Sequence, residues 1–195
     1  MSQSPTPSLV VSVAMETHIG RQRQQNQDAI GHLVPPDPAV LDELGQIFVL
    51  ADGVGGLKGG DLASQYALST IISSYYDQPE GTPADRLARA IAEANSIIYD
   101  EGQAQDATMA TTIVVAVVRG HDLIIGSVGD SPAFLIREGH TRKLTLDHTV
   151  AALSEIPPET ESAGNKLVRA LGVAASVKVD IITTIMNLLV SYAVI

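Results

Sequence analysis

The chain of 195 residues carries 22 acidic and 12 basic side chains, a formal net charge of −10 with histidine neutral. That balance argues against a nucleic-acid or anionic-membrane partner, since both need clustered Lys and Arg. The absence of cysteine excludes disulfides and thiolate metal sites, and 45% apolar with 17% charged residues is ordinary for a globular domain.

The opening "MSQSPTPSLVVSVAMETH" lacks the basic segment and long apolar core of a secretory leader. Residues 1–7 read as a disordered lead-in to a single domain over 8–195, and the expected location is the cytoplasm. Residues 8–14, 29–34 and 46–51 are β-rich runs, and "PPDPAVLDELG" at 35–45 reads as a connecting loop with one helical turn. Asp61 to Tyr76 suits an amphipathic helix, with Leu62, Tyr66, Thr70 and Ile71 on one side. A clearer helix follows, where Thr82 can cap, Pro83 takes the first helical position and Asp85 completes a Thr-x-x-Asp box. Leu87, Ala90, Ile91, Ala94, Ile97 and Ile98 then form one apolar stripe. From Met109, the runs "MATTIVVAVV", "DLIIGSV" and "AFLIRE" read as an antiparallel meander. "HTVAALSE" and "NKLVRALG" look helical, and "SVKVDIITTI" looks like another strand. Strands, two helices, then strands predict one α+β domain with the helices on a sheet face.

The stretch "FVLADGVGGLKGGDLAS" places Asp52 at the end of an apolar run and then packs in Gly53, Gly55, Gly56, Gly59 and Gly60. A phosphate loop of the Walker kind needs Gly-Lys-Ser/Thr, and here Lys58 precedes Gly59. A calcium loop needs acids at alternate positions, and Asp52 stands alone until Asp61. An aspartyl nucleophile usually has a second acid two residues on, where this chain has Val54. A carboxylate beside the Gly53 carbonyl offers hard oxygen donors suited to Mg²⁺ or Mn²⁺. A simple tight turn would also account for "DGVGG" taken alone.

Other pieces occur in a telling order. "RQRQQNQDAI" holds Arg23, Asn26 and Asp28, "ATMATTIVVA" runs into a strand, and "SVGDSPAFLIREG" places Asp130 at a strand end. "KLTLDHT" and "LVRALG" follow. This ordered set, from about Leu9 to Asp180, resembles the metal-dependent Ser/Thr protein phosphatases of type 2C, the PPM family, in their compact bacterial form. The resemblance implies an α-β-β-α sandwich of two mainly antiparallel sheets flanked by helices. It implies that Asp52 bridges two Mg²⁺ or Mn²⁺ ions, that the Gly53 carbonyl binds one of them, and that Asp28 holds a water at the metal centre. Arg23 would grip the substrate phosphate, and Asp130 would contribute to a third, weaker metal site. The implied reaction is hydrolysis of phosphoserine or phosphothreonine on proteins by water activated between two cations, opposing a Ser/Thr kinase, by a monomer. His148 matches a family motif and reads as a structural or loop histidine rather than an acid catalyst.

The chain also departs from the family pattern. Gln27, Val54 and Pro132 stand where members often carry an acid, a His and an Arg. After "VDIITT" the family continues into a strand ending in Ser-Asp-Gly and later supplies another metal-binding Asp. Here the chain reads "IMNLLVSYAVI", and the expectation is a segment truncated or divergent from about residue 185, an orphaned strand without partners. Two divalent ions ~4 Å apart repel by roughly 16 kcal/mol at an effective dielectric of 20, so fewer carboxylates mean a weaker centre. An alternative function follows: a non-catalytic phosphatase-like module that binds phosphoproteins or regulatory partners.

Overall fold

The computed structural model describes residues 11–21, 25–54, 59–77, 80–154, 160–186 and 191–194. A five-stranded antiparallel sheet forms the centre. Its strands are β1 (Asp28–Leu33), β2 (Gln46–Asp52), β3 (Ile113–Arg119), β4 (Asp122–Val128) and β7 (Asp180–Ile185), in the spatial order β1-β2-β3-β4-β7. A smaller sheet has the order β6-β5-β8, from β5 (Phe134–Arg137), β6 (His140–Lys143) and β8 (Ser191–Val194). The helices are α1 (Pro38–Leu44), α2 (Gly60–Asp77), α3 (Pro83–Ala104), α4 (Val150–Leu153) and α5 (Glu161–Gly164).

The period-2 rule sorts the strand residues between two cores. Ile47, Val49 and Ala51 of β2 face α2 and α3, together with Ile113, Val115 and Val117 of β3 and Ile124 and Val128 of β4. The alternate residues Val114, Ala116, Val118, Leu123 and Ile125 form the second core, with Phe48, Leu50, Leu144 and Ile182 packed against it. Because β3 is covered on both faces, Ile113 to Val118 are all buried, which is why its sequence is a continuous apolar run.

The local signals around α3 are realised in full. Thr82 caps Asp85 N–H, Asp85 returns a bond to the Thr82 backbone, and Pro83 opens the helix. Leu87, Ala90, Ile91, Ala94 and Ile98 are buried, while Ile97, expected on the same stripe, is exposed. At the far end of α2, the Tyr75 hydroxyl donates to Leu44 O at 2.6 Å and the Tyr76 hydroxyl to Gly45 O at 2.9 Å. Two tyrosines thus tie α2 to the turn between α1 and β2.

Several expectations need correction. Residues 11–14 form no strand; residues 8–10 lie outside the described residues. Residues 38–44 are a helix rather than a loop, capped by Asp37, with Pro38 at the start. The third run of the expected meander leaves the large sheet: β3 and β4 pair, but β5 joins the smaller sheet after the turn at Gly129. Among the described residues of "HTVAALSE", Val150–Leu153 alone are helical. "NKLVRALG" is not a helix, because distant groups claim its backbone: Val168 N–H bonds His148 O, and Leu171 N–H bonds Thr111 O. The apolar tail expected to be orphaned is paired. β7 lies along β4, Met186 is buried in the inter-sheet core, and β8 lies along β5 from Phe134↔Val194 to Arg137↔Ser191.

Candidate metal centre

One end of the large sheet gathers the acids. β1 begins at Asp28, β2 ends at Asp52, and the two are directly opposed in antiparallel register. Asp52 alternates with Leu50 and Phe48, which pack into the second core, so both carboxylates share that face. Opposed residues on one face stand with Cβ atoms about 4.5–5.5 Å apart, close enough for two carboxylates to share a cation. Asp28 is held by Thr17, whose hydroxyl lies 3.2 Å from its Oδ2, while Asn26 donates to Thr17 and accepts from Asp28 N–H. The Asp52 carbonyl accepts from Thr112 N–H at 2.9 Å, tying the end of β2 to the start of β3.

Gly53 answers part of the question that its sequence raises. Its N–H bonds Gln27 O at 3.0 Å, and a Cβ there would stand 2.3 Å from Gly60 O and 2.8 Å from Gln27 O. Three backbone segments meet at that point, so no larger residue fits. Gly59 has φ +79°, which lets the chain turn into α2. Gly55, Gly56 and Lys58 lie outside the described residues, as does Arg23.

Asp130 stands two strands away at the same end, exposed, just past β4. Gly129 has φ +111° and presses against β3, where a Cβ would meet Thr112 Cβ at 2.6 Å. The Ser131 and Thr112 hydroxyls are 2.6 Å apart. The structure thus places Asp28, Asp52, Gly53 and Asp130 at one sheet end, with Asp28 and Asp52 the tighter pair.

Beside this row lies a cluster that the sequence did not single out. Asp180, at the start of β7, receives His148 Nε2 on Oδ2 and Arg169 Nη1 on Oδ1, each at 3.0 Å. Burial pushes its carboxyl up, but the hydrogen bonds from His148 and Arg169, together with the Arg169 charge, outweigh it and hold the carboxyl below its ordinary value. The available signal was an acid opening a strand, in "VDIITT", after an Arg in "LVRALG". His148 is fully buried.

The donor set fits a hard divalent cation in kind: two opposed carboxylates with main-chain oxygen at hand. Among the described residues, no group of three or more His, Asp or Glu is placed to hold a metal ion.

Comparison with known proteins gives the same direction. Residues 13–157 match the family model described as Protein phosphatase 2C. The chain is 31% identical over 177 residues to the serine/threonine phosphatase stp of Listeria welshimeri, covering 84% of this chain and 68% of that protein. Its fold is similar to the crystal structure of serine/threonine phosphatase Stp1 from Staphylococcus aureus, with TM-score 0.75, 25% identity and coverage of 91% and 76% of the two chains. It is also similar to the catalytic domain of the serine threonine protein phosphatase PstP in complex with two manganese ions, with TM-score 0.66, 25% identity and coverage of 86% and 69%.

Proposed function

The chain belongs to the protein phosphatase 2C family, and from that premise we propose that it hydrolyses phosphoserine and phosphothreonine on proteins in a metal-dependent reaction. The observation that carries the site is the direct opposition of Asp28 and Asp52 at the open end of the sheet. Asp28, Asp52 and the Gly53 carbonyl would hold two Mg²⁺ or Mn²⁺ ions, with Asp130 serving a weaker third. When bound, such cations lower the pKa of water and offset charge on the phosphoryl oxygens.

The protein's own contribution is placement. Gly53 cannot give way between Gln27 and Gly60, so the Asp52–Gly53 peptide is fixed where β2 ends. Thr17 and Asn26 hold the Asp28 carboxylate against rotation. Arg23, five residues before Asp28, would bind the substrate phosphate. Action in the cytoplasm, as a monomer and against a Ser/Thr kinase, belongs to the same proposal; no described helix is long and apolar enough to cross a membrane.

The test is Mn²⁺ calorimetry with hydrolysis of a phosphothreonine peptide, on the wild-type protein and on Asp52→Asn. The expected outcome is Mn²⁺-dependent turnover and loss of most Mn²⁺ binding in the variant. Unchanged Mn²⁺ affinity in Asp52→Asn would overturn the metal reading. The lack of a three-acid group among the described residues favours a second reading, a phosphoprotein-binding module without turnover. Peptide binding with no hydrolysis at saturating Mn²⁺ would establish it.

A further inference from the structure

We propose that His148 is the positioning residue for Asp130: by gripping Gly129 at two points it sets where that carboxylate stands at the sheet end it shares with Asp52, and so how tightly the strand-end acids hold a divalent cation. The inference rests on the reading of Asp130 as a cation-holding residue given above.

The grip is explicit. His148 N–H donates to Gly129 O at 2.9 Å, and Gly129 N–H donates to His148 Nδ1 at 2.9 Å. Both backbone groups of the residue before Asp130 are therefore bound to one histidine. The turn needs such a hold, because Gly129 sits at φ +111°, a conformation that only glycine visits readily and does not by itself prefer. On its other side, the turn meets Thr112 through the Ser131 hydroxyl.

The ring can do this in one tautomer only. Nδ1 accepts from Gly129, so the proton sits on Nε2, which donates to Asp180 Oδ2 at 3.0 Å. Arg169 occupies the other oxygen of Asp180 and also binds Lys178 O at 3.1 Å, which fixes the carboxylate that fixes the ring. His148 O accepts from Val168 N–H, anchoring the same residue to a third segment. With the ring at 0% exposure, water cannot replace a bond lost here. The motifs "GDS", "LDHT" and "LVRALG" thus meet at one histidine although the sequence keeps them apart.

The experiment separates the two ends of the ring. His148→Asn keeps an oxygen near the Nδ1 position and loses the reach to Asp180; His148→Gln keeps that reach and loses the acceptor for Gly129. Mn²⁺ calorimetry, amide exchange at Gly129 and the kcat and KM of phosphothreonine-peptide hydrolysis are measured on both variants, beside Asp130→Asn. The expected result for His148→Gln is 10–100-fold weaker Mn²⁺ binding, the range known for groups that orient a metal's ligands, with faster Gly129 exchange. Activity should recover at high Mn²⁺ with peptide KM little changed, and His148→Asn, which keeps the acceptor for Gly129, should bind Mn²⁺ more tightly and exchange Gly129 more slowly than His148→Gln. Equal, wild-type Mn²⁺ affinity in Asn and Gln variants overturns the proposal and leaves the ring a space filler. If Asp130→Asn itself binds Mn²⁺ as wild type does, the reading of Asp130 fails and the proposal falls with it. One measurement needs no variant: ¹⁵N spectra of the His148 ring in the native protein should show the Nε2–H tautomer, and an Nδ1–H tautomer overturns the proposal even where a variant does not fold.

Discussion

At the scale of the residue, Asp180 and Gly172 carry expectations of different kinds. A carboxyl held below its ordinary value contributes stability that is present above the unfolded pKa, about 3.9, and is lost as pH falls through the lower folded value. Urea unfolding of the wild type should therefore weaken progressively below about pH 4. Asp180→Asn should flatten that acid limb while lowering stability at neutral pH; a limb as steep as wild type would show that Asp180 does not contribute. Gly172 has φ +83°, and a Cβ there would stand 2.3 Å from Met109 O and 2.4 Å from Ile98 Cγ2. Its N–H bonds Asn95 Oδ1, while Asn95 Nδ2 bonds Ala174 O, both at 3.0 Å, so the loop cannot slide away to make room. Gly172→Ala should cost about 2–4 kcal/mol in urea unfolding, beyond an ordinary surface change. A cost under about 0.5 kcal/mol would mean that the loop adapts.

At the scale of the element, α3 and the "NKLVRALG" segment show what a local pattern does and does not decide. Thr82, Pro83 and Asp85 announce the start of α3 because a cap is made within four residues, and nothing distant competes for those groups. Thr82→Ala should destabilise the protein by about 1 kcal/mol, read as a shift in the urea midpoint at constant slope. An unchanged midpoint would mean that Asp85 alone suffices. In "NKLVRALG" the helical spacing is present, but Leu171 is bridged to Thr111 and buried at 0% exposure, which a helix in that position could not deliver. The same reason moves β5: Gly129 and Ser131 are committed to His148 and Thr112, and the strand that leaves them enters the other sheet. Asp28 and Asp52 were legible because each sits beside a recognisable strand or glycine run. The neighbouring cluster of Asp180, Arg169 and His148 was not, since pairing β4 with β7 joins residues more than fifty positions apart.

At the scale of the whole molecule, two cores share one sheet, and Asp28, Asp52 and Asp130 stand at the end of that sheet rather than along its edges. Ala133 and Leu144, which flank β5 and β6, pack into the second core, and β5 is the middle strand of the smaller sheet, between β6 and β8. Removing residues 187–195 would strip four register partners from β5 and leave Phe134–Arg137 with an open edge. Open edges recruit other chains, and β5 carries apolar residues along its length. Arg137 would still reach Ile185 O at 2.6 Å and Met186 would still donate to His121 O at 2.7 Å, so β7 should keep its place beside β4. The large sheet and its acid end do not depend on β8 for any backbone pairing. The expected outcome is therefore split: a lower thermal midpoint and more light scattering at high protein concentration, with Mn²⁺ affinity close to wild type. Loss of Mn²⁺ binding in a deletion variant that remains folded would show that the smaller sheet governs the acid end, against the division of labour that the topology describes.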